Sequence, residues 1–290
     1  MNLYRNFATQ DEIDKEYNLE AAVPDMGPYV EFFLGESERA RSSLPCTLDV
    51  PFGPTLDETM DIFPANEPGA PVLLFIHGGY WRILSSKEFS FVALGLVERG
   101  FTVVVSNYSL CPKVTIPEIT RQSRAAVAAV YSVIEQYNGD PGRLYVSGHS
   151  AGGQQVAMLA QTDWAATYGL PSSLLKGVFP ISGLFDLRPL RYSWLQPMLQ
   201  LDTESVRSQS PQFHIASGGE PMLVTVGGNE PSELVRQSKE FCNAWQGAGN
   251  TARYWEQPGK NHFEAIQGFT EANSPICTEL QKFVQECEST

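Results

Sequence analysis

Histidine is scarce in this chain, with 4 copies in 290 residues, and acidic residues outnumber basic ones 33 to 20. The net charge of −13 works against nucleic acid and anionic membranes as partners, because phosphate binding needs a positive field. No stretch approaches the roughly 20 apolar residues of a membrane helix. The opening residues, Met1 to Gln10, hold no apolar run of signal-peptide length. The five cysteines, Cys46, Cys111, Cys242, Cys277 and Cys287, are odd in number and form no C-x-x-C pair. That pattern excludes a disulfide framework and a zinc ribbon. Reduced thiols are the simplest reading, so a cytoplasmic location is expected. The H-E-x-x-H pattern of zinc hydrolases is missing too, so neither a metal nor an organic cofactor is expected.

What is present is an ordinary globular composition, 42% apolar and 18% charged, which supports a large core and argues against disorder. Residues 1–45 read as a helical segment, with a short polar helix over Asp11–Leu19 and an apolar group, Tyr29, Val30, Phe32, Phe33 and Leu34, opening a second. Thr47–Val50 and Thr59–Phe63 are weak strands around a Gly-Pro turn. From Val72 the pattern changes. Short apolar runs occur at Val72–Ile76, Thr102–Ser106, Leu144–Ser147, Gly177–Ile181, Met222–Val226 and Ala252–Glu256. Helical segments lie between them at Glu88–Arg99, Ile116–Tyr137, Ala151–Gln161 and Pro231–Gln246. Such runs suit strands buried on both faces of a parallel sheet, and their alternation with helices implies βαβ units with right-handed crossovers. One α/β domain over 1–290 is expected: a mostly parallel sheet with helices on both faces. The stretch from about 183 to 221 breaks the rhythm, being long and rich in Pro, Ser and aromatics. It reads as a small cap inserted over the site.

Two glycine-rich turns carry chemistry. Gly148-His149-Ser150-Ala151-Gly152 follows an apolar strand and precedes an Ala-rich helix. This is the context of a nucleophile elbow, where a strained turn exposes the serine and its neighbours must be small. The bland alternative is a strand–helix turn with a serine in it by chance. Upstream, Val72–Ile76 runs into His77-Gly78-Gly79-Tyr80-Trp81. Glycines in such a loop let backbone N–H groups converge on one point, so Gly78, Gly79 and Ala151 are the expected oxyanion donors. His77 is expected to brace that loop and take no part in proton transfer.

Elimination selects the base. His77 belongs to the loop, His149 sits in the elbow with its side chain expected to point elsewhere, and His214 lies in the insert. His262 follows the last strand, in agreement with the order nucleophile, acid, histidine. The acid must lie between Ser150 and His262. Glu230, in the Gly227-Gly228-Asn229-Glu230 loop, is the first choice, with Asp186 and Glu233 as alternatives. Asp186 follows the preceding strand, and Glu233 would suit the first turn of a helix.

These residues resemble a known group. His77–Trp81, Gly148–Gly152 and the run Gly227–Phe241 look like the arylformamidase (kynurenine formamidase) branch of the α/β hydrolases, related to hormone-sensitive-lipase-type esterases. The resemblance spans roughly Val72 to Phe263. It implies an α/β-hydrolase fold and a serine mechanism with Ser150 as nucleophile, Glu230 as acid and His262 as base, although the family commonly has Asp where this chain has Glu230. A Ser210-Pro211 pair in the insert is similar to one in the family. The implied partner is a small-molecule ester or amide. Tyr80, Trp81, Trp194 and Phe263 are expected at the substrate, within a wider aromatic set that includes Tyr108, Phe185 and Phe213. The rival reading is a non-catalytic small-molecule receptor on the same scaffold, which loss of the serine or histidine would signal.

Overall fold

The computed structural model describes residues 2–289. Helices α1 (Gln10–Tyr17) and α2 (Gly27–Ser43) come first, then strands β1 (Thr47–Pro51), β2 (Thr59–Phe63) and β3 (Ala70–Ile76). The alternating part continues with α3 (Val92–Glu98), β4 (Thr102–Ser106), α4 (Ile116–Val133), β5 (Gly139–His149), α5 (Ala151–Leu159), α6 (Trp164–Tyr168) and β6 (Leu175–Ile181). After it come α7 (Gln196–Leu199), α8 (Thr203–Gln209), β7 (Met222–Gly227), α9 (Ser232–Gly247), β8 (Ala252–Gln257) and α10 (Pro275–Glu288).

The strands form one eight-stranded sheet in the order β1-β2-β4-β3-β5-β6-β7-β8. β2 is antiparallel to both β1 and β4, and every other pairing is parallel. This is the α/β-hydrolase arrangement expected from the sequence. The continuous apolar runs have a direct cause. Leu73, Phe75, Val103, Val105, Tyr145 and Phe179 pack into one buried cluster, while their strand neighbours Val72, Leu74, Val104, Leu144, Val146 and Val178 pack into another. Side chains alternate across a strand, so the two clusters are the two covered faces of the sheet. Among the described residues no helix is long and apolar enough to cross a membrane.

Three helical details differ from the sequence expectation. The segment Glu88–Arg99 does not start as one helix. A short 3-10 turn at Ser86–Glu88, capped by Ser85 with Glu88 reaching back, precedes α3. The helix from Ile116 gives way to a 3-10 turn after Val133. The C-terminal α10, not singled out in the sequence, starts where the Ser274 side chain accepts the Cys277 N–H and buries Ile276, Cys277, Leu280, Phe283 and Val284.

The N-terminal segment is tied to the loop after β6 and to the start of α9. Tyr4 donates its hydroxyl to Asp186 at 2.9 Å, and Tyr17 donates to Glu233 at 3.1 Å. Glu16 accepts from the Ser232 hydroxyl and from the Glu233 N–H at the start of α9.

One carboxyl carries a pH signature. Burial raises Glu220, just before β7, to about 7. The folded state then holds a proton that the unfolded state releases. Stability is therefore full below the ordinary Glu range and falls as pH rises through about 7. Glu220→Gln is expected to stabilise the protein at about pH 8 by about 1–2 kcal/mol, a value reduced for partial exposure. Near pH 4 the gain should vanish. Urea denaturation at both pH values checks this, and an equal gain at both contradicts it.

Candidate active site

The site assembles where adjacent strands end together. β3 and β5 are parallel neighbours with Ile76 opposite Gly148, so the loop after Ile76 and the turn after His149 emerge side by side. Ser150 adopts φ 58° and ψ −117°, a strained conformation for a residue with a side chain, and N-caps α5. Its N–H bonds to the Ile181 carbonyl at 2.8 Å. The tightness of the turn explains its glycine: a Cβ on Gly152 would stand 1.9 Å from the Ile76 carbonyl oxygen. Gly78 lies directly against the serine, since a Cβ there would be 3.1 Å from Ser150 Cβ.

Gly79 has φ 105°, and a Cβ on it would overlap the Ile83 carbonyl at 2.2 Å. His77 braces this loop. Its ring is stacked on Tyr108 at 4.1 Å, and its Nδ1–H donates to the Gly78 carbonyl at 2.7 Å. Tyr108 donates its hydroxyl to the carbonyls of His77 and Gly78. Burial lowers the His77 pKa to about 4, so the ring is neutral at physiological pH.

The second half of the site comes from β7 and β8. Gly227 pairs with Gln257, and Asn229 N–H donates to the Lys260 carbonyl at 2.9 Å, which ties the two following loops together. Glu230 is buried and lies 2.7 Å, through Oε2, from His262 Nδ1. Its Oε1 accepts from the Ser182 hydroxyl and the Gly227 N–H. Three donors converge on this side chain, which suits an ionised, acceptor-only carboxylate. The other two carboxylates are engaged elsewhere. Asp186 is paired with Arg188 and accepts from Tyr4. Glu233 is paired with Arg236 and accepts from Tyr17. Neither is bonded to His262.

Ser150, His149, His262 and Phe263 form one wall of a cavity of about 370 Å³. The loop after Gly79 forms another, with Tyr80, Ile83, Leu84, Glu88 and Phe89. The roof is Leu19, Glu20, Met26, Val30, Phe33 and Leu34. Residues 183–221, expected to cap the site, supply none of the described lining residues; the N-terminal segment covers it. A hint lay in α2, which carries more apolar residues than a surface helix needs. Val30 and Leu34 are 48% and 51% exposed and line the cavity.

Of the aromatic residues expected at the substrate, Tyr80 and Phe263 line the cavity. Trp81 does not. The backbone is left-handed at both Tyr80 and Trp81 (φ 50° and 56°), and the indole is buried with Nε1–H donated to Gln154 at 3.2 Å. Trp194 stands behind Tyr80, edge-on at 6.1 Å, under the Arg82 guanidinium. Phe213 is 42% exposed under Arg188, and Phe185 is stacked on Phe241. Phe89, which had not stood out in the sequence, and Phe33, read there only as part of an apolar helix start, line the cavity instead. His149 also departs from expectation, because it turns into the site and packs on His262.

The fold and this site define an α/β hydrolase with a serine mechanism. Comparison with known proteins agrees. Residues 60–245 match the BD-FAE family. Kynurenine formamidase of Danio rerio is 31% identical over 289 residues, covering 95% of this chain and 97% of that one. Esterase LipQ of Mycobacterium tuberculosis is 30% identical over 238 residues, covering 74% of this chain and 56% of that longer protein. A crystal structure from Silicibacter sp. TM1040 shares 27% identity with a TM-score of 0.81, covering 92% of this chain and 98% of that one. The chain belongs to the BD-FAE family of α/β hydrolases, in the branch of arylformamidases and hormone-sensitive-lipase-like esterases. It is a serine hydrolase, so the receptor reading is set aside.

Proposed function

We propose that this enzyme cleaves a small-acyl ester or aryl formamide through an acyl-enzyme on Ser150. His262 takes the Ser150 proton at Nε2, and Ser150 Oγ attacks the carbonyl carbon. The N–H groups of Gly78, Gly79 and Ala151 hold the oxyanion, where one such donor is worth about 3–4 kcal/mol of barrier. As the tetrahedral adduct collapses, His262 protonates the departing amine or alcohol. Water, deprotonated by His262, then releases the acid and restores Ser150. The observation that carries this reading is the buried bond from Glu230 to His262 Nδ1 at 2.7 Å. It keeps the proton on Nδ1, leaves the Nε2 lone pair for Ser150, and stabilises the imidazolium as it forms.

The cavity supports a compact apolar substrate. Its volume of about 370 Å³ is near the low end for small-molecule sites, and its walls are mostly aliphatic and aromatic. Glu20 and Glu88 are the carboxylates among its described lining residues, and no Lys or Arg is among them, which disfavours an anionic substrate. Tyr80 and Phe263 are the proposed substrate contacts among the residues first singled out. Identity to a kynurenine formamidase favours an aryl formamide, and identity to esterase LipQ favours an ester. The five free thiols fit the reducing conditions of a cytoplasm, which we include in the proposal.

A substrate panel tests this. Along p-nitrophenyl esters from acetate to decanoate, kcat/KM is expected to peak at butyrate or shorter, because the roof limits the space beyond Ser150. A maximum at octanoate or beyond contradicts the small-acyl assignment. Faster turnover of 4-nitroformanilide than of p-nitrophenyl acetate would identify the formamide as the preferred class, and the reverse order the ester.

A further inference from the structure

We propose that His149, the residue before the nucleophile, is a positioning residue that holds the His262 loop in register with Ser150. The proposal rests on the assignment of Ser150, Glu230 and His262 as the catalytic triad. His149 is the last residue of β5, so its backbone runs directly into the elbow. Its side chain reaches a loop that follows β8, although β6 and β7 stand between those two strands.

The contact has two parts. His149 Nε2 lies 3.0 Å from the backbone carbonyl oxygen of His262. A carbonyl oxygen only accepts, so Nε2 carries the proton and donates. The two imidazole rings also pack against each other in a tilted arrangement, with centroids 4.4 Å apart and planes inclined by 40°. On the other side of His149, Nδ1 faces Gly78, where a Cβ would stand 3.3 Å away. One side chain thus touches the base loop and the oxyanion loop while its backbone carries the nucleophile.

This arrangement supplies what Glu230 does not. The Glu230 bond holds one ring atom of His262, Nδ1, and leaves the ring free to swing about that bond. His149 covers one face of the ring, and Phe263 stands edge-on at 5.6 Å. The bond to the His262 carbonyl sets the distance of the whole loop from the elbow. His149 also suits the charge that the reaction creates. It is buried, and desolvation together with the neighbouring His262 holds its pKa well below the usual imidazole range. A neutral ring beside His262 leaves the imidazolium of the transition state unopposed, where a second cation would repel it.

Three variants separate the ring from the donor. His149→Phe keeps a ring against His262 and removes the N–H. His149→Gln returns an N–H close to the Nε2 position, and His149→Met matches Gln in shape without it. Turnover of p-nitrophenyl acetate is measured per competent site, with sites titrated to completion by a fluorophosphonate, so that a loss of folded protein does not enter the result. We expect Phe and Met to lower kcat per site by about 10- to 100-fold with KM changed by less than about threefold, and Gln to stay within about fivefold of wild type. Phe and Met variants within about threefold of wild type overturn the proposal. An equal loss in the Gln and Met variants overturns it as well. Ser150→Ala and His262→Ala are assayed alongside: if either still turns over at a rate near wild type, the triad assignment fails, which is a different outcome from failure of the His149 role.

Discussion

Ser150→Ala is expected to lower kcat by about 10⁴- to 10⁶-fold, the range seen when the nucleophile of a triad is removed. Alanine retains the N–H that bonds Ile181 at 2.8 Å, so the elbow keeps its anchor and the melting temperature should stay within a few degrees of wild type. Alanine is also no more strained than serine at φ 58°. Residual rate should come only from binding and from the oxyanion donors. The check pairs kinetics with mass spectrometry. A fluorophosphonate should add one label to the wild-type protein, on the peptide containing Ser150, and none to the variant. Retention of more than about a tenth of the wild-type kcat would rule out the serine mechanism.

Glu230→Gln should be nearly as damaging, with kcat down by about 10³- to 10⁴-fold. The carboxylate accepts from His262 Nδ1, the Ser182 hydroxyl and the Gly227 N–H. An amide has one acceptor oxygen and two N–H donors. Whichever way it is turned, an N–H faces a group that also needs to donate. The substitution either reverses the His262 tautomer or breaks the bonds to Ser182 and Gly227, and in both cases the imidazolium loses its counter-charge. Asp186→Asn and Glu233→Gln are the controls. They weaken the attachments of Tyr4 and Tyr17, so they should lower stability and leave kcat within about fivefold. If Asp186→Asn costs more in kcat than Glu230→Gln, the acid has been misassigned.

The parts of this molecule legible in its sequence are those set by short-range constraints. Leu73 and Phe75 on one face and Val72 and Leu74 on the other need no knowledge of their partners to read as a doubly covered strand, because burial on both sides removes every polar position. The C-terminal helix was harder to read. Its buried residues, Ile276, Cys277, Leu280, Phe283 and Val284, do recur at helical spacing, but its start depends on one serine cap. The roof over the cavity was legible only as an apolar stretch of helix. Val30, Phe33 and Leu34 could equally have been core residues of a packed helix, and only the path of the N-terminal segment brings them over Ser150.

The sequence by itself determined the proposed nucleophile and the proposed oxyanion loop, because an elbow is a local object. A strand, one serine and flanking glycines within ten residues suffice, and the steric reason is that a Cβ at Gly152 would strike the backbone of Ile76. Tertiary structure decided which carboxylate meets His262, since Glu230, Asp186 and Glu233 share the same chemistry and differ only in where the ends of β6 and β7 and the start of α9 place them. It also decided that Trp81 turns into the core and His149 into the site. Those orientations depend on backbone dihedral angles and on partners far away in the chain, Gln154 for the indole and the His262 carbonyl for the imidazole. Residue type sets which bonds a side chain is able to make; the order and register of the strands set which partner comes within reach.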